Sequence, residues 1–568
     1  MKRLVRRDLQ TRVDVASPLL SRLFSARGVA CASEVDHRLA HLLTPETLKG
    51  LPAAVDLLTN AIDHQARILI VGDFDADGAT SCVLMMKGLK ALGADHVDYL
   101  VPNRFEYGYG LTPEIVEVAR GFDPTLIITV DNGISSVQGA EHARSLGIKL
   151  LITDHHLPGK ELPPADAIVN PNQGGCDFAS KNLAGVGVAF YVLSALRARL
   201  RESGWFERHG VAEPNLGDYL DLVALGTIAD VVPLDYNNRI LVQEGLRRIR
   251  SGKCRPGLLA MIDVAGLRRE KILSRDLAFG IAPRLNAAGR LKDISLGIEC
   301  LLADTHATAS ALADELDTLN KQRRDIEDEM RAQALDVNDE SSWVSGKDAV
   351  GVCLFHNDWH QGVVGIVASR IKERVHRPVI AFARAGELEL KGSARSITGL
   401  HVRDAIDSIA AQYPGLVTKF GGHAMAAGLS LAPDKLDQFA RAFDTEARKR
   451  LSTQDLEEVV LSDGELDEPL TVQLVRVIEQ AAPWGQGFTE PLFDGEFEVL
   501  EQRIVGGHHL KLRLARRGDP DPYDAIAFNH PGLIEGRYRR LAYRPMVNEY
   551  RGRESVQLVV VATDLTVD

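Results

Sequence analysis

Acidic side chains crowd a short stretch that directly follows an apolar run. The sequence reads VGDFDADG at 71–78 and places Asp73, Asp75 and Asp77 at alternate positions. Three carboxylates at this spacing repel one another unless a cation lies between them. The structural alternative is a polar turn whose aspartate caps the helix predicted to follow.

The same stretch resembles the start of a calcium-binding loop, but two features exclude that assignment. Such loops carry a glutamate at their twelfth position, and counting from Asp73 that position is Leu84. The apolar run before the acids is also typical of a strand, whereas a helix precedes a calcium loop of this kind.

Buried strands are predicted to position these acids. The runs RILIV (67–71), TLIITV (125–130) and KLLIT (149–153) alternate with helical patterns across residues 46–200. Apolar strands that alternate with helices predict a parallel, doubly wound α/β sheet.

Acidic or imidazole groups also follow the second and third of these strands. Asp131 follows the second strand, and Asp154, His155 and His156 follow the third. The carboxyl ends of parallel strands meet at one sheet edge, where α/β proteins bind ligands. We therefore expect these groups to converge with the three aspartates.

Asp230, in the apolar segment ALGTIADVVPL, is a further candidate ligand, because a buried carboxylate needs a partner. A capping role in a helix is the alternative. Carboxylates and imidazoles without thiolates suit Mn²⁺ or Mg²⁺, and the imidazole favours Mn²⁺. Two such ions would relieve the repulsion among the acids.

Composition narrows the class of protein. A length of 568 residues predicts three or four domains, and a net charge of −12 argues against a generally basic nucleic-acid coat. The six cysteines form no CxxC pair, which fits a reducing compartment and neither a zinc site nor a disulfide framework. No apolar run in the sequence is typical of a secretory signal or a membrane span, so a cytoplasmic protein is expected.

Four motifs now carry a family resemblance. The aspartate-rich loop, VDNG, DHH and GTIAD, in this order, resemble the motifs of the DHH phosphoesterase superfamily. Further segments resemble the RecJ single-stranded-DNA exonucleases over almost the whole chain: APRLNAAGRL (282–291), LNKQRR (319–324), WHQGVVGIVASRI (359–371), GSARS (392–396), GGHAMAAG (421–428) and the C-terminal VNEYRGRESVQLVV.

The resemblance implies a fold of two α/β lobes, a parallel-sheet DHH domain and a DHHA1 domain, joined by a long helix and followed by an OB-like β-barrel. The predicted divisions are an N-terminal segment (1–45), the DHH domain (46–205), a helical part completing that lobe (206–302), a connector helix (303–345), the DHHA1 domain (346–456) and the single-strand-binding barrel (457–568). The apolar spacing from 307 to 337 predicts the long helix independently. A dimerisation coiled coil is the alternative for this helix, and a rigid connector in a monomer is preferred.

The resemblance also implies roles for individual residues. Two ions would share Asp131, with Asp73, Asp75, Asp77, His155 and Asp230 as further ligands, although Asp73 could instead lie behind the ligands. His156 would bind metal or polarise the phosphate, and Asp154 would orient an imidazole, so both join Asp131 in the catalytic group. The implied substrate-binding residues are Arg104, Arg284, Asn286, Arg290, His360, Ser393, Arg395, Gly421, Gly422 and His423.

Basic and aromatic residues alternate in the predicted barrel. Between Glu501 and Arg553 there are eleven Lys and Arg against six Asp and Glu, and Tyr523, Phe528, Tyr538, Tyr543 and Tyr550 lie among them. OB-folds bind single strands with such charges and rings. A solvated face with core tyrosines is the alternative.

The activity implied is two-metal hydrolysis of single-stranded DNA from its 5′ end to mononucleotides, in repair and recombination. A single-strand-binding protein and a helicase are the expected partners. Two other hypotheses stay open: a phosphodiesterase of short oligonucleotides or cyclic dinucleotides, and a non-catalytic DNA-binding scaffold. The presence of every expected acid and histidine argues against the scaffold.

Overall fold

Five parallel strands form the sheet that the alternating apolar runs predict. A computed structural model describes residues 2–102, 107, 110–335, 344–346, 348–530, 532–563 and 565–567. The strands lie in the spatial order Val97–Leu100, Ile68–Gly72, Leu126–Val130, Lys149–Thr153 and Ala167–Val169. The chain reverses its direction of sheet growth beside Ile68–Gly72, and such a switch point is where open α/β sheets bind ligands.

Helices cover both faces of this sheet and extend the first lobe. The two helices that carry the site are Ala76–Ala91, which starts in the aspartate-rich loop, and Leu220–Ala229, which ends at Asp230. None of the helices in the described part of the chain is both long and apolar enough to cross a membrane. The other helices of this lobe are Pro18–Ser25, Leu51–Asp63, Pro113–Arg120, Val137–Ser145, Gly185–Glu202, Trp205–His209, Tyr236–Arg250, Pro256–Val264, Ser274–Asp276, Ala282–Leu291 and Ser295–Leu302.

The predicted long helix is confirmed as His306–Leu335. It packs against the first lobe through Ala309, Ala313 and Leu316, and against the second lobe through Met330 and Ala334. One continuous helix of 30 residues spans about 45 Å, so both lobes pack against the same rigid element.

The second lobe is a mixed sheet flanked by helices. Its strands lie in the order Lys419–Gly422, Ala426–Leu431, Leu390–Arg395, Val379–Arg384 and Val352–Phe355, with only the last pair parallel. The helices are Val364–Val375, Val402–Gln412 and Leu436–Arg450. The strand Lys419–Gly422 forms one edge of the sheet.

The predicted C-terminal barrel is also confirmed. Strands Phe493–Val505, His509–Arg516, Tyr523–Ala527, Arg553–Ala562 and Tyr538–Tyr550 close on one another, and the helix Val472–Gln480 packs against the last two. Tyr523 and Tyr543 are buried in its core and therefore cannot stack on bases. Phe528, Tyr538 and Tyr550 are exposed, so the alternation of aromatic residues divides into core and surface positions.

The two ends of the chain share a small parallel sheet that the sequence did not predict. The strand Lys2–Arg6 lies between Val459–Ser462 and Leu565–Val567 and pairs in parallel with both. A fully buried ion pair joins Arg27 to Asp463 at 2.8 Å, which fastens the N-terminal segment to the start of the barrel module.

Candidate metal centre

The aspartate-rich loop starts a helix and gathers acids at the same time. Asp75 is the N-cap residue of Ala76–Ala91, and its Oδ1 accepts hydrogen bonds from the main-chain N–H of Asp77 at 2.9 Å and of Gly78 at 3.1 Å. The capping interpretation is therefore confirmed, and it is compatible with a metal site, because a capping carboxylate retains lone pairs for a cation.

Asp77 is held by the start of a second helix. Its two carboxylate oxygens accept hydrogen bonds from the main-chain N–H of Gly185 at 2.6 Å and of Val186 at 3.0 Å. Burial, followed by the charge of Asp75, nevertheless raises the pKa of Asp77 to about 7. The main-chain bonds and the charge of His156 act in the opposite direction but offset this rise only in part.

Asp131 lies at the end of the neighbouring strand in a left-handed backbone conformation, with φ at 61°. Asn132 fixes this turn, because its Nδ2 donates to the carbonyl oxygens of Val71 at 3.1 Å and Val130 at 2.9 Å. It thus ties together the ends of two central strands. Sequence reasoning missed Asn132, although its place inside VDNG was a signal.

The Nε2 atom of His155 lies close to two carboxylates. His155 Nε2 lies 3.0 Å from Asp131 Oδ1 and 3.4 Å from Asp230 Oδ2, yet neither Nε2 nor Asp131 Oδ1 has a hydrogen-bond partner among the described residues. The ring bonds instead to the main chain of Leu183, which leaves the proton on Nδ1. Burial, followed by the neighbouring His156, lowers the pKa of His155 to about 3, so the ring is neutral.

Burial and the surrounding acids, Asp77 first among them, raise the pKa values of Asp131 and Asp230 well above the ordinary range. Several buried carboxylates around a neutral imidazole lone pair are unstable as an isolated arrangement. Divalent cations would satisfy all of these groups, so the donor set fits metal ions on chemical grounds.

Asp154 is engaged by hydrogen-bond donors on both of its carboxylate oxygens. It accepts hydrogen bonds from the main-chain N–H of Ile134, His155 and His156, and from His156 Nδ1 at 2.7 Å. Burial raises its pKa, but the bond from His156 and that ring's charge outweigh burial and lower it. The arrangement is that of a carboxylate that orients an imidazole, as predicted for Asp154.

The structure brings all of the predicted metal-binding residues together. Three sets of ligand atoms each lie within 4.8 Å of one another: Asp131, His155 and His156; Asp77, His155 and Asp230; Asp73, Asp75 and Asp131. Asp131 and His155 each belong to two sets, so they occupy the centre of the group. We call these seven residues the acidic cluster.

Glycines allow the elements of the acidic cluster to approach so closely. A Cβ atom on Gly185 would lie 2.6 Å from the Cβ of Asp131, and one on Gly226 would lie 2.8 Å from Asp77 Oδ1. Contacts below 3.0 Å require a shift of the surrounding atoms. Sequence reasoning missed both glycines, because nothing in their local patterns marks a close approach between helices.

Replacing Gly185 by Ala is therefore expected to weaken metal binding. The new methyl group would push the start of Gly185–Glu202 away from Asp131 and loosen the two main-chain bonds to Asp77. We expect Mn²⁺ affinity to fall by roughly tenfold or more, as for other losses of ligand support. Titration calorimetry measures the affinity.

The matched control for this substitution is Gly187→Ala on the same helix. Its Cβ atom would lie 3.1 Å from Leu183 Cδ2, the movable end of a side chain. Equal Mn²⁺ affinities for the two variants would contradict the proposed role of Gly185.

Without metal, the protein is expected to become less stable as pH rises from 6.5 to 8. The folded pKa of Asp77 is about 7 and that of Asp131 is raised well above its ordinary value, whereas unfolded aspartates titrate near ~4. The folded state therefore binds more protons in this window and loses stability as they dissociate. Burial lowers the pKa of His37 to about 4. This residue makes stability rise with pH, but only below about pH 6.5.

Thermal unfolding in a chelator at several pH values tests this expectation. Saturating Mn²⁺ should remove the trend, because bound cations favour the ionised carboxylates at every pH in the window. A thermal unfolding midpoint in chelator that rises between pH 6.5 and 8 would show that the ionised acids do not destabilise the folded protein.

The second lobe faces the acidic cluster through its glycine-rich loop. The ring of His423 lies 6.1 Å from that of His156 and nearly parallel to it, at 17°. Gly421 and Gly422 end the edge strand before it and are exposed. The cleft between the lobes thus brings these three predicted substrate-binding residues to the acidic cluster.

Ser393 and Arg395 lie beside the start of the helix Val364–Val375. Arg395 Nη1 donates to Ser393 Oγ at 3.0 Å and to the carbonyl oxygen of Ala394 at 2.8 Å. Burial lowers the pKa of Arg395, and no carboxylate pairs with it among the described residues. A largely buried guanidinium without an acid is suited to an anionic ligand.

Other predicted substrate-binding residues make structural contacts. Arg284 pairs with Asp317 of the long helix at 2.7 Å, and Asn286 Oδ1 accepts the main-chain N–H of Ala76 at 2.8 Å. Asn286 thus supports the aspartate-rich loop. Arg104 lies outside the described residues.

Arg290 and His360 meet at the junction of the lobes. Arg290 Nη1 donates to the carbonyl oxygen of Gly362 at 3.0 Å, and His360 Nδ1 accepts the main-chain N–H of the same residue at 3.1 Å. The Arg290 contact holds the loop before Val364–Val375 against the first lobe, and the His360 contact lies within that loop.

Comparisons with known proteins agree with this architecture. Residues 67–227 match the DHH family N-terminal domain, 347–449 the DHHA1 domain, and 462–562 the RecJ OB domain. The single-stranded-DNA-specific exonuclease RecJ of Escherichia coli K12 is 51% identical over 98% of each chain.

Solved structures agree as well. The chain is similar to RecJ from Thermus thermophilus in complex with Mn²⁺, with a TM-score of 0.78, 32% identity and coverage of 99% of this chain and 80% of that one. The Mg²⁺ complex from the same organism gives a TM-score of 0.73 at 30% identity, covering 99% and 79%.

Proposed function

The chain belongs to the RecJ family of single-stranded-DNA-specific exonucleases, and from this premise we propose that it hydrolyses single-stranded DNA from the 5′ end and releases 5′-mononucleotides. The observation that carries the proposal is the acidic cluster at the switch point of the sheet, facing the loop of His423 across the cleft. The cofactor is Mn²⁺ or Mg²⁺, since the donors are carboxylates and imidazoles without thiolates.

The residues of the acidic cluster would have different roles in the reaction. Asp131 and His155, central to the cluster, would be among the ligands that hold the ions, and bound ions would supply Lewis-acid activation of water and phosphate. Asp154 holds the His156 ring through a hydrogen bond at Nδ1, so Nε2 is the ring atom that would act on metal or phosphate. That bond, opposing the effect of burial, raises the pKa of His156, so the ring can donate a proton or a hydrogen bond to a phosphate oxygen.

Arg395 supplies the second anchor of the substrate. Its guanidinium, positioned by Ser393, would bind the phosphate at the 5′ end and so set the distance from that end to the acidic cluster. This arrangement accounts for cleavage from one end of the strand. Gly421 and Gly422 are exposed on the edge strand of the same sheet.

A cleft of about 680 Å³ offers the remaining strand a route towards the barrel. It lies between the helix Ala282–Leu291, the long helix and the barrel loop at 528–529. The aromatic rings of Phe279 and Phe528 are exposed at its walls, and the arginines that line it are Arg290, Arg323, Arg324, Arg331 and Arg370. Glu327 and Asp328 also line the cleft and pair with three of these arginines, so its charge is only in part available to a nucleic-acid strand. Exposed rings and cations in one groove are typical of single-strand binding.

The proposal is tested with DNA labelled at either end. The purified protein should release labelled mononucleotides from a 5′-labelled single strand at once, and from a 3′-labelled strand only late. Mn²⁺ or Mg²⁺ should be required, and a blunt duplex of the same sequence should stay intact. Release that starts from the 3′ end would contradict the assigned polarity.

The same assay distinguishes this exonuclease activity from the second enzymatic hypothesis. A phosphodiesterase of short oligonucleotides or cyclic dinucleotides would act on dinucleotides and leave long strands uncut. The C-terminal barrel favours the long substrate, because a dinucleotide at the acidic cluster needs no further binding domain. We further propose that the chain works as a monomer in the cytoplasm beside a helicase and a single-strand-binding protein, which expose its substrate.

A further inference from the structure

One residue beside the acidic cluster has a backbone conformation that its side chain opposes. Val231 has φ at 60°, in the left-handed region. A β-branched residue there is an outlier, because both γ-carbons crowd the main chain. The other non-glycine residues with positive φ in the described part of the chain are all polar: Gln65, Asp123, Asp131, His376, Asn529 and Arg551.

Packing does not compensate for this strain. The side chain of Val231 is 62% exposed, while Ile228 and Leu234 on either side are buried. Its main-chain N–H reaches the carbonyl oxygen of Ile228 only at 3.4 Å, a long hydrogen bond. Neither the backbone nor the core therefore explains a valine where asparagine or glycine would be more stable.

The position of Val231 connects it to the reaction. It directly follows Asp230, whose Oδ2 lies 3.4 Å from His155 Nε2, so its Cα is about 3.8 Å from that of a cluster residue. On its other side the chain is fixed, because the main-chain N–H of Leu234 donates to the carbonyl oxygen of Gln486 at 2.7 Å. The exposed side chain of Val231 thus belongs to the residue that follows a member of the acidic cluster, in a segment whose other end is fixed.

We propose that Val231 is a substrate-contact residue whose side chain packs against the apolar sugar and base surface of the nucleotide at the acidic cluster. The inference rests on the proposed function. Backbone strain that packing does not offset is typical of active sites and of positions that contact a ligand. An isopropyl group forms no hydrogen bonds, so the contact would be equally favourable for every base, as an exonuclease without sequence preference requires.

Three substitutions separate this role from a purely structural one. Val231→Asn and Val231→Gly suit the left-handed backbone and remove the apolar contact. Val231→Thr keeps the branching, the volume and the strain but exchanges a methyl group for a hydroxyl. The rival role, in which the turn only aims Asp230 at the metal, predicts an unchanged KM for the Asn and Gly variants, because both residues keep the left-handed backbone of the turn.

The readouts are the thermal midpoint in chelator, Mn²⁺ affinity by calorimetry, and kcat and KM on single-stranded DNA. We expect the Asn and Gly variants to gain about 2 °C and to retain Mn²⁺ affinity. Their KM should rise about tenfold with kcat within about twofold, since a contact of valine size is lost. The Thr variant should show a smaller rise in KM without the gain in stability.

Two results would overturn the inference: a wild-type KM in the Asn variant, or a Mn²⁺ affinity that falls in parallel with activity. Wild-type protein is assayed alongside on the same strand. If the wild type leaves single-stranded DNA intact, the proposed function fails; if it degrades the strand and the variants match it, only the role of Val231 fails.

Discussion

Asp131→Asn is expected to lower the rate of exonuclease turnover by about 10⁴-fold or more. Asp131 belongs to two of the three sets of ligand atoms, and its Oδ1 lies 3.0 Å from His155 Nε2. The amide that replaces it has the same shape but no charge, so the proposed metal centre would lose an anionic ligand. A factor of 10⁴ corresponds to about 5.5 kcal/mol, within the range that metal ions contribute to hydrolysis.

The same substitution should make the metal-free protein more stable. Burial and four neighbouring acids raise the pKa of Asp131, which means that its ionised form costs folding free energy at neutral pH. The asparagine variant should therefore unfold at a higher temperature than the wild type in chelator and gain less from added Mn²⁺. Lost activity together with a raised midpoint excludes misfolding as the cause.

Asp98→Asn is the matched control for this prediction. Asp98 is an exposed acid in the edge strand Val97–Leu100 of the same sheet. Its substitution should change neither turnover nor the response to Mn²⁺. If the Asp131 variant keeps more than about a tenth of the turnover, the assignment of the acidic cluster as the metal centre is wrong.

Arg395→Ala is expected to lower kcat/KM by about 10² to 10³ on 5′-phosphorylated strands. The guanidinium is largely buried, its pKa is lowered by that burial, and no carboxylate neutralises it among the described residues. A fixed cation that meets phosphate in a cleft contributes this much when it is removed. Arg395→Lys should recover only part of the loss, because the lysine ammonium cannot form bidentate hydrogen bonds to a phosphate.

Single-turnover assays with 5′-phosphate and 5′-hydroxyl strands identify which phosphate Arg395 binds. A loss confined to the 5′-phosphate strand places the contact at the terminal phosphate. Arg384→Ala, an exposed arginine of the neighbouring strand that bonds to Asn357, is the control and should leave both rates unchanged. Equal losses for Arg384 and Arg395 would indicate a general charge effect.

The sequence predicted the parts of the fold and site that depend on local patterns. Asp131 and His155 could be placed together because each follows an apolar run that had to be a buried parallel strand. The long helix followed from apolar spacing without Gly or Pro. These predictions needed no knowledge of how distant segments meet beyond the rule that parallel strands end at one edge.

Features that depend on contacts between distant segments could not be predicted. The ion pair between Arg284 and Asp317 is one example, because only the packing of two helices brings these residues together. Asn286 serves the aspartate-rich loop for the same reason. The strained turn at Val231 was equally hidden, because a valine in an apolar segment gives no sign of a left-handed backbone.

The small sheet shared by the two chain ends has a consequence for biosynthesis. The strand Lys2–Arg6 leaves the ribosome long before its second neighbour, Leu565–Val567, has been made. At about 5 to 20 residues per second, the first strand waits roughly half a minute to two minutes for that partner. Its basic residues Lys2, Arg3 and Arg6 protect an unpaired strand from aggregation during this delay.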